Sequence, residues 1–171
     1  TRPAARANVW LQLRPGTDAA LALGMLNVIV NEKLYDREFV EKYTHGWDPF
    51  VQRVNEYPLE RVQEITWVPK EKIREAARLF ATTKPAAIQW GVAIEQQTNC
   101  ADNDRLLMFL MGITGNIDAP GGQVLNRTPN VVNVGQFGAH SMLSKDQFAK
   151  RLGGERFRLA SRFAIMQPKC V

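Results

Sequence analysis

Hydrophobic and polar positions change period along this chain, and the changes mark out its elements. After an extended opening that includes Val9-Trp10-Leu11, the run Arg14-Pro15-Gly16-Thr17-Asp18 reads as a turn. Thr17 is placed to cap a helix, with Asp18 in its first turn. Apolar residues at Leu21, Met25, Val28 and Ile29 then keep helical spacing to about Glu32. Asp36 caps a short helix through Tyr43, Gly46 breaks it, and a further short helix covers Pro49 to Glu56. Pro58 fits the first turn of a helix ending near Thr66. Pro69 starts a stronger one, with Ile73, Ala76, Ala77 and Phe80 on its apolar face, and Lys84-Pro85 ends it.

The period then switches. Ala86-Ala87-Ile88-Gln89-Trp90-Gly91-Val92 is short and largely apolar and reads as a buried strand. Polar residues follow from Glu95 to Asn99. From about Asp102 to Thr114, Leu106, Leu107, Phe109, Leu110 and Ile113 predict a buried helix; Gly115-Asn116 stops it, and Pro120-Gly121-Gly122 makes a tight turn. Residues 123–143 read as loop and Lys145–Leu152 as a short helix, and no internal repeat is visible.

A strand buried on both faces needs neighbours on both sides, and this sequence offers few. The predicted class is therefore α/β, rich in helix, with a parallel sheet left incomplete within the chain. Thr1-Arg2-Pro3 without an initiator Met, and the ending Gln167-Pro168-Lys169-Cys170-Val171, give the same expectation of an internal segment. Apolar surface left bare where sheet neighbours belong should make the isolated segment self-associate.

Composition narrows the function classes. The chain has 171 residues, enough for one ordinary domain, and 45% hydrophobic with 23% charged residues is a globular balance. A net charge of +5 without a Lys/Arg run or aromatic-basic stripe predicts no nucleic-acid partner, while a scattered basic excess suits an anionic ligand. Cys100 and Cys170 are too few for a disulfide framework and fit a reduced compartment. His45 and His140 stand alone, without the spacing of a zinc site, so no metal ligand is assigned. No stretch reaches the roughly 18 apolar residues of a membrane helix, which argues against direct membrane insertion.

Three stretches could carry chemistry. Pro15-Gly16-Thr17-Asp18 feeds a helix N-terminus, where backbone N–H groups are free and a carboxylate can accept two parallel hydrogen bonds from an amidine-like edge such as that of guanine. On the tetrapeptide alone, a plain helix cap is the stronger reading. Glu95-Gln96-Gln97-Thr98-Asn99 follows the strand, where ligands of open α/β sheets bind; taken alone it reads better as a solvated loop with Asn99 or Asp102 as a helix cap. Gly112 to Gly122 could let backbone approach a ligand, or serve as helix C-cap and turn. It is neither a Walker loop nor the usual dinucleotide fingerprint, and no Gly-x-Ser-x-Gly elbow exists. Cys100 reads as a small buried residue. Glu64, Glu71 and Glu75 read as solvated, and the four tryptophans as packing residues. No catalytic residue is assigned.

Order and spacing say more than any single motif. Ala7 through Leu21, with Trp10-Leu11 leading into Arg14-Pro15-Gly16-Thr17-Asp18, resembles the molybdopterin oxidoreductases of the dimethyl sulfoxide reductase type. So do Asn31-Glu32-Lys33-Leu34-Tyr35-Asp36-Arg37-Glu38-Phe39-Val40, the Ile73–Ala77 helix, and the succession of strand, Gln-rich loop, long helix and Thr114-Gly115-Asn116-Ile117…Pro120-Gly121-Gly122 turn. The resemblance covers about Arg2 to Gly122. The Asn31–Val40 run and Glu56-Tyr57-Pro58-Leu59 look like acetylene hydratase, a member of that family.

The resemblance implies a fragment of a Rossmann-like parallel-sheet domain: residues 1–122 as part of a molybdopterin-guanine-dinucleotide-binding domain, and residues 123–171 as a loop-rich extension. It implies an enzyme holding Mo or W in a bis(molybdopterin guanine dinucleotide) cofactor, acting by oxygen-atom or electron transfer, with any iron–sulfur cluster outside this segment. A non-redox hydratase of the same family and a non-enzymatic helical module are the alternatives. Asp18 takes the role of reaching a guanine, with Pro15, Gly16 and Thr17 shaping its turn, and Glu95, Gln96 and Gln97 become cofactor candidates. The family often has Gln-His-Thr/Asn-x-Gly in that loop; here Gln97 stands in place of the His and the Gly is missing. Asp118 stands where the family often has Gly. Partners implied are the rest of the same polypeptide and, for a redox enzyme, an electron-transfer subunit, in a prokaryotic cytoplasm or periplasm. The isolated segment should hold no cofactor.

Overall fold

The structure is a computed structural model that describes residues 1–125, 143–150 and 156. Its elements are α1 (Arg2–Arg6), α2 (Asp18–Asn31), α3 (Arg37–Tyr43), α4 (Trp47–Asn55), α5 (Leu59–Thr66), α6 (Lys70–Thr82), α7 (Val92–Glu95), α8 (Cys100–Ile113) and α9 (Lys145–Ala149). The chain divides between Leu125 and Asn126 into two units. In the second, Ser144 and Gln147 form a reciprocal capping box at the start of α9. Leu152, placed in that helix by the sequence, and most of the 123–143 loop lie outside the described residues.

In the first unit α2 is the central helix, packed by α4, α5, α6 and α8. The sequence predicted one apolar face; the structure buries residues around much of the circumference, among them Ala20, Leu23, Leu26, Val28 and Ile29. A helix apolar on most sides belongs inside. Its neighbours are amphipathic and bury one stripe each: Leu59 and Val62 on α5, Ile73, Ala77 and Ala81 on α6. Gly24 sets how closely α5 can cross, since a Cβ there would lie 2.8 Å from Val62 Cγ1. On the flanks, Asn31 Nδ2 donates to Asn55 Oδ1 at 2.9 Å, tying α2 to the end of α4. Arg78 clasps Glu32 with two hydrogen bonds of 2.7 and 3.0 Å, tying α2 to α6.

Several expectations hold closely. Asp36 caps α3 by accepting from Phe39 N at 2.9 Å. The Gly115-Asn116 stop is a Schellman turn: Asn116 N donates to Met111 O, Gly115 N donates to Gly112 O, and Gly115 has φ +69°. Other expectations need correction. The chain opens with α1 before its extended part, and α7 was not foreseen. α4 begins at Trp47, because Gly46 takes φ +74° at the N-cap and releases the helix before Pro49. Phe109 is exposed on α8, meeting Phe50 edge-on at 5.4 Å between ring centroids. Trp10 and Trp67 are also exposed, with Arg14 over the Trp67 ring.

The predicted buried strand is the main correction. Among the described residues there is no strand, and Ile117 and Gln123 form an isolated bridge. Ala86 to Trp90 is extended and keeps a period of two: Ala86, Ile88 and Trp90 are half-buried, Ala87 and Gln89 exposed. Ala86 N donates to Asn116 Oδ1 at 3.0 Å, while the backbone groups from Ala87 to Trp90 take no hydrogen bond from the described residues. An extended segment becomes a strand only when a neighbour supplies the ladder.

Candidate functional site

The site is built where the N-termini of α2 and α8 come close to the α7 loop. The turn before α2 is anchored from below. Arg14 N donates to Thr66 O at 2.9 Å, Thr17 N to Arg14 O at 3.2 Å, and the chain reverses through Gly16 with φ +81°. Only a residue at ease with positive φ makes that turn without strain.

Thr17 is buried and occupies the N-cap position of α2, but its hydroxyl donates to Arg14 O at 2.6 Å instead of accepting from the helix. The sequence read Thr17 as a side-chain cap; in the structure it closes the turn. Asp18 follows as the first helical residue, half-buried, and is not consumed by capping.

On the facing side the loop hangs from a buried asparagine. Asn103 on α8 is 1% exposed; its Nδ2 donates to Ile94 O at 3.3 Å, and its Oδ1 accepts from Asn99 Nδ2 at 3.3 Å. Sequence reasoning missed Asn103. An Asn at the start of the predicted apolar helix was the available signal, because buried polar groups are retained where they have partners.

Of the loop candidates, the fold brings Gln97 to Asp18 and leaves the other two outside. Gln97 Nε2 donates to Asp18 Oδ2 at 3.2 Å and to Ala93 O at 2.6 Å. Its Oε1 is buried without a partner, and a Cβ added at Gly16 would stand 3.6 Å from that oxygen. Glu95 and Gln96 are exposed, and their side chains make no hydrogen bond among the described residues. Pro15 is exposed at the turn.

A pocket of about 480 Å³ opens beside this junction, lined by Ala19 and Leu23 of α2, Arg53 and Tyr57, and Asn99 and Arg105 among others. The turn at Gly112–Gly122 serves structure: Asn116, 1% exposed, accepts from Ala86 N through its Oδ1 and donates from its Nδ2 to Thr114 Oγ1. Lys84 Nζ donates to Thr114 O, and its burial lowers the amine's pKa. Among the described residues no three His, Cys, Asp or Glu side chains gather as a metal site.

A carboxylate with spare lone pairs, held beside a positive-φ turn, is an acceptor edge. It fits a ligand presenting neighbouring N–H donors.

The chain matches the family described as molybdopterin oxidoreductase over residues 3–165. It is 41% identical to acetylene hydratase of Syntrophotalea acetylenica over 92% of this chain and 22% of that protein. It is 38% identical to formate dehydrogenase H of Escherichia coli over 67% of this chain and 16% of that protein. With dimethyl sulfoxide reductase DmsA of the same bacterium the identity is 34%, over 70% of this chain and 17% of that protein. Among solved structures, acetylene hydratase from Pelobacter acetylenicus superposes with a TM-score of 0.69 at 39% identity, covering 92% of this chain and 22% of that one. The chain therefore spans about a fifth of the length of these relatives. It belongs to the molybdopterin oxidoreductase family, within the dimethyl sulfoxide reductase group. That family is enzymatic.

Proposed function

We propose that this chain is the part of a Mo- or W-bis(molybdopterin guanine dinucleotide) enzyme that holds a guanine nucleotide, with Asp18 accepting the N–H donors of the guanine edge. The observation that carries the reading is the half-buried Asp18 carboxylate at the end of an anchored Gly16 turn, with the Gln97 amide against it at 3.2 Å. Residues 1–122 act as part of the nucleotide-binding domain, and residues 123–171 as an extension of it. Ala86 to Trp90 joins a Rossmann-like parallel sheet whose other strands come from the rest of the polypeptide, and the half-used period-two edge supports that placement. Glu95 and Gln96, exposed on the same stretch, are assigned to the cofactor as further contacts, which their exposure supports. The cofactor supplies the redox chemistry at its metal. The residues here bind and orient its nucleotide end and perform no step of their own, and an electron-transfer subunit serves the intact enzyme.

A second reading has its own support. Likeness to acetylene hydratase extends over 92% of the chain, against 67% for formate dehydrogenase H, so a hydratase reaction is the alternative to oxygen-atom or electron transfer. Assaying the full-length enzyme with an artificial electron carrier and, separately, for water addition to an alkyne separates the two.

Asp18→Asn tests the binding role, since it keeps size and much of the capping ability but removes the charge. Losing a hydrogen bond to a charged partner costs about 1.5–3 kcal/mol, or roughly 10- to 100-fold in affinity. Guanine nucleotide, released as GMP by acid hydrolysis of the full-length protein, should fall. Full nucleotide content with only a lower melting temperature would make Asp18 a helix-start residue and nothing more.

A further inference from the structure

The geometry points to Gln97 as the positioning residue for the Asp18 carboxylate, an inference that rests on the Asp18 reading and adds to it. An aspartate at the first position of a helix has two free side-chain torsions and swings between rotamers. A ligand with two adjacent N–H donors needs both carboxylate oxygens in one plane and one orientation. Something must hold that orientation.

Gln97 is arranged to do so. Both hydrogens of its amide nitrogen are used, one on Asp18 Oδ2 at 3.2 Å and one on Ala93 O at 2.6 Å. Ala93 lies on α7, whose next residue, Ile94, is held through its carbonyl by the buried Asn103 of α8. The carboxylate is thus tied through one side chain and a short helix to the core helix α8.

The amide also has only one workable orientation. Rotating it by half a turn would aim Oε1 at two other acceptors, the Asp18 carboxylate and the Ala93 carbonyl. The orientation that serves them leaves Oε1 buried and unpaired, an arrangement that costs stability and that few native side chains keep. Gln97 consumes one lone pair of Oδ2 and leaves Oδ1 and the rest of Oδ2 for the ligand, since an ionised carboxylate offers about four acceptor positions.

The chemistry required at position 97 is an N–H donor of about this reach. Gln97→Leu keeps the bulk without donating, Gln97→Glu keeps the shape and sets a second carboxylate against the first, and Gln97→His donates again through a ring N–H. In the full-length protein carrying this chain, the GMP released per molecule after extended dialysis and the melting temperature are read together for these variants and for Asp18→Asn. Gln97→Leu should retain roughly three- to tenfold less nucleotide. Gln97→Glu should retain less still, and Gln97→His should return close to the unsubstituted level.

If Asp18→Asn loses nucleotide while Gln97→Leu and Gln97→Glu keep it, the positioning role is wrong and the Asp18 reading stands. If Gln97→His retains as little as Gln97→Leu, donation is not what the position supplies, and the inference is again overturned. If Asp18→Asn itself keeps its nucleotide, the Asp18 reading fails and Gln97 has nothing to position. Should Gln97→Leu fail to accumulate, the remaining pair decides: more nucleotide on Gln97→His than on Gln97→Glu supports the positioning role, and equal retention overturns it.

Discussion

Helix α2 and the segment from Ala86 to Trp90 are both largely apolar in sequence, yet they end in opposite situations. Helix α2 is buried against four other helices, while the extended segment is half-exposed and its backbone from Ala87 to Trp90 finds no hydrogen bond among the described residues. The difference lies in where each finds its hydrogen bonds. A helix closes its backbone ladder within itself and asks its surroundings only for apolar contact. An extended segment satisfies its backbone only through another chain segment. Apolar side chains alone therefore complete a core helix here and leave the strand-like segment unfinished.

The sharpest way to break this comparison is paired truncation. Leu26 is fully buried on α2, and Leu26→Ala should lower unfolding stability by about 2–5 kcal/mol. Ile88 is only half-buried, and Ile88→Ala should cost about 1 kcal/mol or less. Chemical denaturation of the two variants measures both, and equal losses would mean that the extended segment is packed as firmly as the helix.

A smaller effect is expected at the hydrogen bond that secures the segment's start. Asn116→Ala removes the acceptor for Ala86 N and the donor to Thr114 Oγ1, both near a side chain that is 1% exposed. Stranding these groups should cost about 1–3 kcal/mol. Amide exchange at Ala86 should quicken, while exchange in the middle of α2 follows only the global change. If Ala86 stays protected, another group holds the segment.

The smallest effect belongs to the ion pair at the far end of α2. The Arg78 hydrogen bond, helped by the charges of Arg78 and Arg74, holds the Glu32 carboxyl below its ordinary pKa. A lowered carboxylate pKa gives stability that is present above the ordinary value and lost as pH falls through the lowered one. Glu32→Gln should therefore flatten that part of the acid limb of the stability curve and slightly reduce stability at neutral pH. The partners are substantially exposed and screened, so the change is slight. An unchanged acid limb would remove Glu32 as its source.

Much of the helical order was legible because local signals agreed with each other. Asp36 sits one residue before a helix, Gly115-Asn116 directly after one, and Ile73 and Ala77 at the spacing that buries them. Thr17 was misread for a physical reason: the sequence shows that a hydroxyl is present at the N-cap but not that the Arg14 carbonyl lies 2.6 Å away to receive it. Likewise the Gln-rich loop gave three equal candidates, and nothing local distinguishes Gln97 from its neighbours. Its partner lies 79 residues earlier in the chain.

The sequence by itself determined most of the helices, several of their ends and the family, because propensity, caps and turn residues act over a few positions and are written in order along the chain. Tertiary structure alone decided that α2 would be central, that Phe109 would face outward and that Ala86 to Trp90 would find no ladder among the described residues. It also decided which loop side chain would meet Asp18. Each of these depends on what lies across space, and a long-range contact forms only when separately folded elements bring distant residues within hydrogen-bond or van der Waals reach.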